Sequence, residues 1–288
     1  MTPFFIIGNP RSGTTLLRLM LASHPDLLVT PECGFALWLA GEFSNQDCTS
    51  KSVRKAYAQQ VCNCRKFDTW GITAEALESH LLKSTAGNYA ELAAEVYHCY
   101  GKLIAKKKYL RWGDKNNFYL NQIDQIASLY PKAQFIHIIR DGRDVACSYK
   151  ELHKKNITSR FTPGLPIKTE DIAREWRQNI LTIQTGLGKL SPHLVLEQKF
   201  DSLLNNPSRD LSLICDFLGI KYDDQMLNYY LLNKQNQLEP RELLPWKEKT
   251  LQRPQRDRSG RYHQDLTKSQ IQRFEKIAGD ILSHYHFL

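Results

Sequence analysis

The feature that most constrains this chain is the junction at residues 4–15, where an apolar run ends in a glycine-bounded turn and a helix begins at once. Phe4, Phe5, Ile6 and Ile7 are apolar without a break, and the run stops at Gly8-Asn9-Pro10. A strand of that composition is buried on both faces, unlike the alternating strands of a sheet with one wet side. Residues 14–22 are mainly helix formers, and His24-Pro25-Asp26 closes the segment. The unit recurs. Phe135, Ile136, Ile138 and Ile139 bracket His137 in a strand predicted over 134–139, Asp141-Gly142 turns the chain, and helical sequence runs from Arg143 through Lys150. Two such units imply parallel strands joined by crossovers, and so an α/β fold with a P-loop-like parallel β-sheet flanked by helices.

Further helices are expected over Tyr89–Lys106 and Thr169–Leu190, and after Pro207 with Asn206 as cap and Gly219 as stop. A capping box of Thr267 and Gln270 starts the last one. Residues 240–265 carry Pro240, Pro245, Pro254 and Gly260 among many charges and read as a long functional loop. No repeat or long linker divides the chain, so residues 1–288 are expected to form a single domain. The apolar runs are too short for a bilayer and no secretory signal is legible, which points to a cytoplasmic chain with no membrane partner. The seven cysteines are odd in number and lack a C-x-x-C pair; reduced thiols are expected, and Cys62 and Cys64 stand too close for a zinc loop. Lys plus Arg 39 against Asp plus Glu 30 leaves +9, which favours an anionic ligand. Lys106 to Lys108 and Lys154-Lys155 read as solvated faces.

The turn Gly8-Asn9-Pro10-Arg11-Ser12-Gly13-Thr14-Thr15 can aim backbone N–H groups and the positive end of the next helix at one anion. Gly8 and Gly13 have the spacing of the nucleoside-triphosphate P-loop, but Thr14 stands where that motif carries its lysine. Arg11 supplies a planar fork for phosphate or sulfate instead, with Ser12, Thr14 and Thr15 as hydroxyl donors. The bland alternative is a capping turn with an exposed arginine. At the second junction, Arg140 leaves its strand towards the carboxyl edge of the sheet, and Ser148, on the following helix, can share an anion with it. Here the alternative is that Arg140, Asp141, Arg143 and Asp144 pair among themselves.

Together the two motifs resemble those of the sulfotransferases that use 3′-phosphoadenosine 5′-phosphosulfate (PAPS). The likeness extends to Leu196–Phe200, Phe217-Leu218-Gly219 and Gly260-Arg261-Tyr262. The run from Arg11 through His24-Pro25 to Glu32, and Asp114-Lys115 ahead of Arg140, is most similar to the protein-tyrosine sulfotransferase-like branch and its bacterial relatives. The resemblance implies sulfuryl transfer by in-line displacement, with PAPS as donor, 3′-phosphoadenosine 5′-phosphate (PAP) as product and no metal. It places the phosphosulfate on Asn9, Pro10, Arg11, Ser12, Gly13, Thr14 and Thr15, and the 3′-phosphate on Arg140 and Ser148. It makes Glu32 the base, its pKa raised by burial, and Lys115 the residue that steadies the leaving oxygen. The family's basic triplet before the last helix falls on Gln255-Arg256-Asp257, so Arg256, with Arg258 as second choice, is expected at the 3′-phosphate. Trp112, Trp246 and Tyr262 are candidates to stack on the purine. His24 and His137, conceivable alternative bases, read as a helix-terminal and a core residue.

The tyrosyl enzymes are secretory and membrane-anchored, so their protein substrate is not carried over, and the expected partner is a small-molecule or peptide hydroxyl acceptor. Segments 33–85 and 155–170 are expected to shape its pocket. Two other readings remain: a P-loop kinase-like phosphoryl transferase, against which the missing lysine after Gly13 counts, and a basic nucleic-acid-binding protein, which explains the charge but not two anion sites.

Overall fold

The computed structural model describes residues 1–288 apart from Lys107, Asn156 and Thr158. Five parallel strands form one sheet: β1 (Phe4–Ile7), β2 (Leu27–Val29), β3 (Arg111–Lys115), β4 (Gln134–Ile139) and β5 (Val195–Lys199). Their order is β2-β3-β1-β4-β5, with Ile6 opposite both Lys115 and Ile136. Two strands match the sequence reading residue for residue. β2, β3 and β5 add to the two strands that the apolar runs predict.

Period-two alternation of side chains sorts the sheet's two faces. Phe5, Ile7, Leu28, Trp112 and Phe135 pack against the helical region between residues 35 and 103. Phe4, Ile6, Leu27, Val29, Ile136 and Ile138 pack against helix α1 (Thr14–Ala22) and residues 200–230. A third cluster joins the helices Gly142–Lys154, Thr169–Leu187 and Lys268–His284 beside Ile139. Burial on both faces is why β1 and β4 are apolar without alternation.

The expected helices are present with trimmed ends, at Tyr89–Leu103 and Thr169–Leu187. Gly219 ends Pro207–Leu218 at φ 70°, but the Asn206 side chain makes no cap bond, because its backbone has left the usual capping geometry. The capping box of Thr267 and Gln270 is formed. Residues 240–265 are not an open loop; short helical turns run through them, including Leu244–Lys247 and Arg256–Arg258. Nor does Lys106 belong to a solvated face. Its Nζ donates to the carbonyls of Ala22 and His24, at 3.1 and 2.6 Å, and satisfies the end of α1. Its neighbour Lys107 lies outside the described residues.

β1 lies between β3 and β4, so the chain leaves it to one side first and to the other later. In an open α/β sheet that reversal opens a crevice beyond the carboxyl ends of the strands, where ligands bind.

Candidate active site

A cavity of about 690 Å³ fills the crevice, within the range of small-molecule sites. Every strand delivers a residue to its wall at or just beyond its carboxyl end: the 10–15 turn from β1, Glu32 after β2, Lys115 from β3, Arg140 from β4 and Phe200 from β5.

The β1 turn is shaped by two left-handed residues, Arg11 at φ 68° and Gly13 at φ 94°. Arg11 turns its guanidinium across to the second motif, with Nε donating to Ser148 Oγ at 3.1 Å and Nη1 to the Trp246 carbonyl at 3.3 Å. Arg140 returns the link by donating to the Arg11 carbonyl at 3.2 Å. The two turns therefore touch. Arg140 lies over the Phe200 ring, 4.5 Å from its centroid, and burial lowers its pKa to about 10. Its Nε is buried with no partner among the described residues. Burial likewise lowers Arg11. Ion pairing within the motif does occur: Arg143 is bound to Asp141 and Glu275, and Asp144 stands 3.9 Å from Arg140.

At the inner end Glu32 is buried at 5% exposure and meets three lysines. Lys115 and Lys247 donate to Oε1, the latter at 3.2 Å, and Lys66 donates to Oε2. Lys115 Nζ also stands 3.4 Å from Thr15 Oγ1, which ties this cluster to the β1 turn. Lys247 continues to Glu239 at 2.6 Å, and Arg18 closes on Glu239 at 2.5 Å. Four cations face two carboxylates, so this largely buried group carries two positive charges in excess. Uncompensated buried charge is costly, and an incoming anion relieves it.

The direction of the Glu32 shift corrects the sequence expectation. Burial does push its pKa up, but Lys115, Lys247 and Lys66 outweigh burial and hold the carboxyl well below its ordinary 4.5. Lys115, in turn, is lowered by burial to about 8 despite the Glu32 charge. Behind it, Asp114 accepts hydrogen bonds from the Tyr97 and Tyr119 hydroxyls, each at 2.5 Å, and burial raises it to about 6.

The cavity gathers Pro10, Arg11, Gly13, Thr14, Thr15, Glu32, Lys115, Arg140, Ser148 and Arg258. Asn9, Ser12 and Arg256 are not in its wall. Asn9 is a buried brace: its amide donates to the Pro10 carbonyl at 2.7 Å and its Oδ1 accepts from Asn179 at 2.7 Å. Ser12 turns inward, its buried hydroxyl without a partner among the described residues. Arg256 points to solvent, while Arg258, two residues on, faces the cavity beside Arg253 and Arg261. Among the aromatic candidates only Trp246 lines the cavity; Trp112 stacks on Tyr97 at 4.2 Å in the core, and Tyr262 lies beneath Arg143. His24 and His137 are buried elsewhere, bonded to the Lys221 carbonyl and to Glu197. From the expected acceptor segments, Arg65, Lys66 and Phe161 to Leu165 reach the wall. Sequence reasoning missed Lys66, Lys247, Glu239 and Arg18. None carries a local signal, because their meaning lies in pairings across up to 221 positions.

The Sulfotransferase family matches residues 3–224. Protein-tyrosine sulfotransferase 2 of Gallus gallus is 24% identical over 230 residues, covering 80% of this chain and 54% of that protein. Protein-tyrosine sulfotransferase 1 of Danio rerio is 25% identical over 230 residues, covering 80% and 56%. The chain thus spans about half the length of these curated relatives. Among solved structures, the sulfotransferase domain of the Synechococcus PCC 7002 olefin synthase superposes with a TM-score of 0.60 at 22% identity, over 96% of this chain and 94% of that one. A mouse sulfotransferase complexed with PAP gives 0.52 at 15% identity, over 99% and 89%. Both share this fold.

Proposed function

The chain belongs to the sulfotransferase family, and from that premise we propose that it transfers the sulfuryl group of PAPS to a hydroxyl acceptor by in-line displacement. One observation carries the reading: two touching anion-binding turns and a buried cluster with surplus positive charge open into the same cavity. Arg140, with a buried Nε that has no partner among the described residues, and Arg258 and Arg261 in the same cavity wall suit a phosphate. A member of the same fold holds PAP, which agrees with that donor.

In this reading the β1 turn, with Arg11, Thr14 and Thr15, holds the phosphosulfate, and Arg140, Ser148 and Arg258 hold the 3′-phosphate. When bound, the nucleotide supplies an activated sulfuryl group and a stable leaving phosphate. Lys115 is drawn from Glu32 to the departing oxygen and offsets the charge that develops there. Glu32, released from one of three cations, becomes a stronger base and takes the acceptor proton as the new oxygen–sulfur bond forms. We take residues 1–288 to act as one domain, because the 240–265 segment completes the cavity that the N-terminal turn begins. The acceptor is a small-molecule or peptide hydroxyl entering past Lys66 and Phe161.

Glu32→Gln tests the scheme. The variant is expected to bind PAP with unchanged affinity in calorimetry while losing turnover of PAPS in a screen of phenols, sugars, lipids and tyrosyl peptides. Undiminished turnover would remove Glu32 from the role of base, and absence of PAP binding by the unaltered protein would remove the donor.

A further inference from the structure

Lys247 ends the short helix Leu244–Lys247, in the segment whose sequence reads only as charged loop. Its Nζ has two carboxylate partners, Glu32 Oε1 at 3.2 Å and Glu239 Oε1 at 2.6 Å. Glu239 is fixed in turn by Arg18, which also donates to the carbonyls of Thr30 at 3.2 Å and Leu238 at 2.9 Å. An anchored series of charges thus leads from α1 to Glu32. The three lysines on Glu32 are not equivalent. Lys115 reaches towards Thr15 of the β1 turn, and Lys66 is partly exposed at the cavity wall with Glu32 as its carboxylate partner. Lys247 is tethered by a second, buried carboxylate.

We propose that Lys247 is the positioning residue of the Glu32 base, keeping it ionised and fixed in the cavity once Lys115 has turned to the sulfuryl donor. The inference deepens the reading of Glu32 given above and rests on it. The charged groups facing Glu32 are Lys115 from β3, Lys66 from the turn before Phe67, and Lys247; Asp114 lies behind, held by two tyrosines, and Glu239 lies beyond Lys247. Lys66, with one carboxylate partner, is the more exposed of the two remaining lysines, so Lys247, buried and held by Glu239 as well, is the cation that stays on Glu32. It lets Glu32 stay deprotonated at low pH with fewer cations than the three that face it in this structure.

The experiment is a carbon-13 carboxyl NMR titration of the full chain saturated with PAP, with Glu32→Gln used to assign the Glu32 signal. Lys247→Met is expected to raise the Glu32 midpoint by about one pH unit or more, the usual effect of losing one adjacent opposite charge, while Lys247→Arg stays near the original value. The acid limb of sulfuryl transfer should move with it. The substitution strands no charge, since Glu239 keeps Arg18 and Glu32 keeps two lysines. Should the methionine variant not fold, Lys247→Gln, which retains a donor to Glu239, carries the same expectation. A midpoint that stays within about 0.3 unit in the neutral variants overturns the proposal. The base reading fails separately, if Glu32→Gln retains turnover while the midpoint still shifts with Lys247.

Discussion

Arg256 and Arg258 stand two residues apart in one charged stretch, and a single 3-10 turn gives them opposite surroundings. Arg258 reaches over the cavity and bonds Glu151 at 3.2 Å, while Arg256 faces water. Spacing from Gly260 cannot see that turn, and so the sequence favours the arginine that lies outside the cavity wall. Arg258→Ala is expected to weaken PAP binding about tenfold or more, as loss of a charge-assisted contact does, and Arg256→Ala to change it less than about twofold. Calorimetry on both variants separates them, and equal losses would mean that the segment docks differently. Glu32 and Lys115 are legible because they lie in motifs, whereas Lys66 and Lys247 are lysines like any other until the chain folds. Lys115 gives the pH dependence. Burial lowers its pKa to about 8, so its needed positive charge is present below that pH and is lost as pH rises through it. The kcat/KM profile, which reports the free enzyme, is expected to fall on the alkaline side near pH 8. Lys115→Arg, with a charge that persists to about pH 12, should move that limb out of range even though its geometry lowers the rate. An alkaline limb unmoved by the arginine would assign it to another group.

Among the elements, the ones written in apolar residues are the ones that can be read. β1 and β4 announce themselves, but β3 is Arg-Trp-Gly-Asp-Lys and looks like surface. It is nonetheless an inner strand. Of its three charged residues Asp114 and Lys115 are buried, because Asp114 is bonded by Tyr97 and Tyr119 and Lys115 by Glu32, and Gly113 leaves room for the Phe4 ring, which an added Cβ would approach to 2.2 Å. A functional strand thus breaks the pattern that identifies structural ones. The β1 turn shows the converse, since its glycines are legible and their reasons are geometric. At Gly13, φ is 94° and an added Cβ would fall 2.3 Å from the Phe200 ring, which itself lies beneath Arg140. Gly13→Ala is therefore expected to destabilise the chain by about 1–3 kcal/mol and to displace Arg140 through Phe200, so that PAP binding suffers as well. Denaturant unfolding and calorimetry check both effects. Gly41→Ala, where an added Cβ meets nothing within 4 Å, is the control.

At the scale of the whole molecule, the parallel order β2-β3-β1-β4-β5 sets the carboxyl ends of all five strands along one crevice. The α/β class follows from two strand–turn–helix units, but the order does not, because β2, β3 and β5 are short or polar. What the sequence also hides is the return of the chain. Asp144, on the helix after β4, accepts from the backbone N–H groups of Gly260 and Tyr262 at 2.8 and 3.0 Å, and Glu151 binds Lys249, Arg258 and Arg261. These pairings fasten residues 244–262 over a cavity whose floor is the turn at residues 10–15. A ligand held only by the β1 turn would slow amide exchange there and nowhere else. One that spans the crevice must slow it together in residues 9–15, 140–151 and 244–261, since all three would be ordered by the same binding event. Hydrogen exchange with saturating PAP is expected to show those three segments protected as a group, while Lys51–Asn63 and Ala74–Lys83, helices outside the cavity wall, exchange as before. Protection confined to residues 9–15 would leave a simple phosphate-binding turn and would refute a nucleotide gripped at both ends.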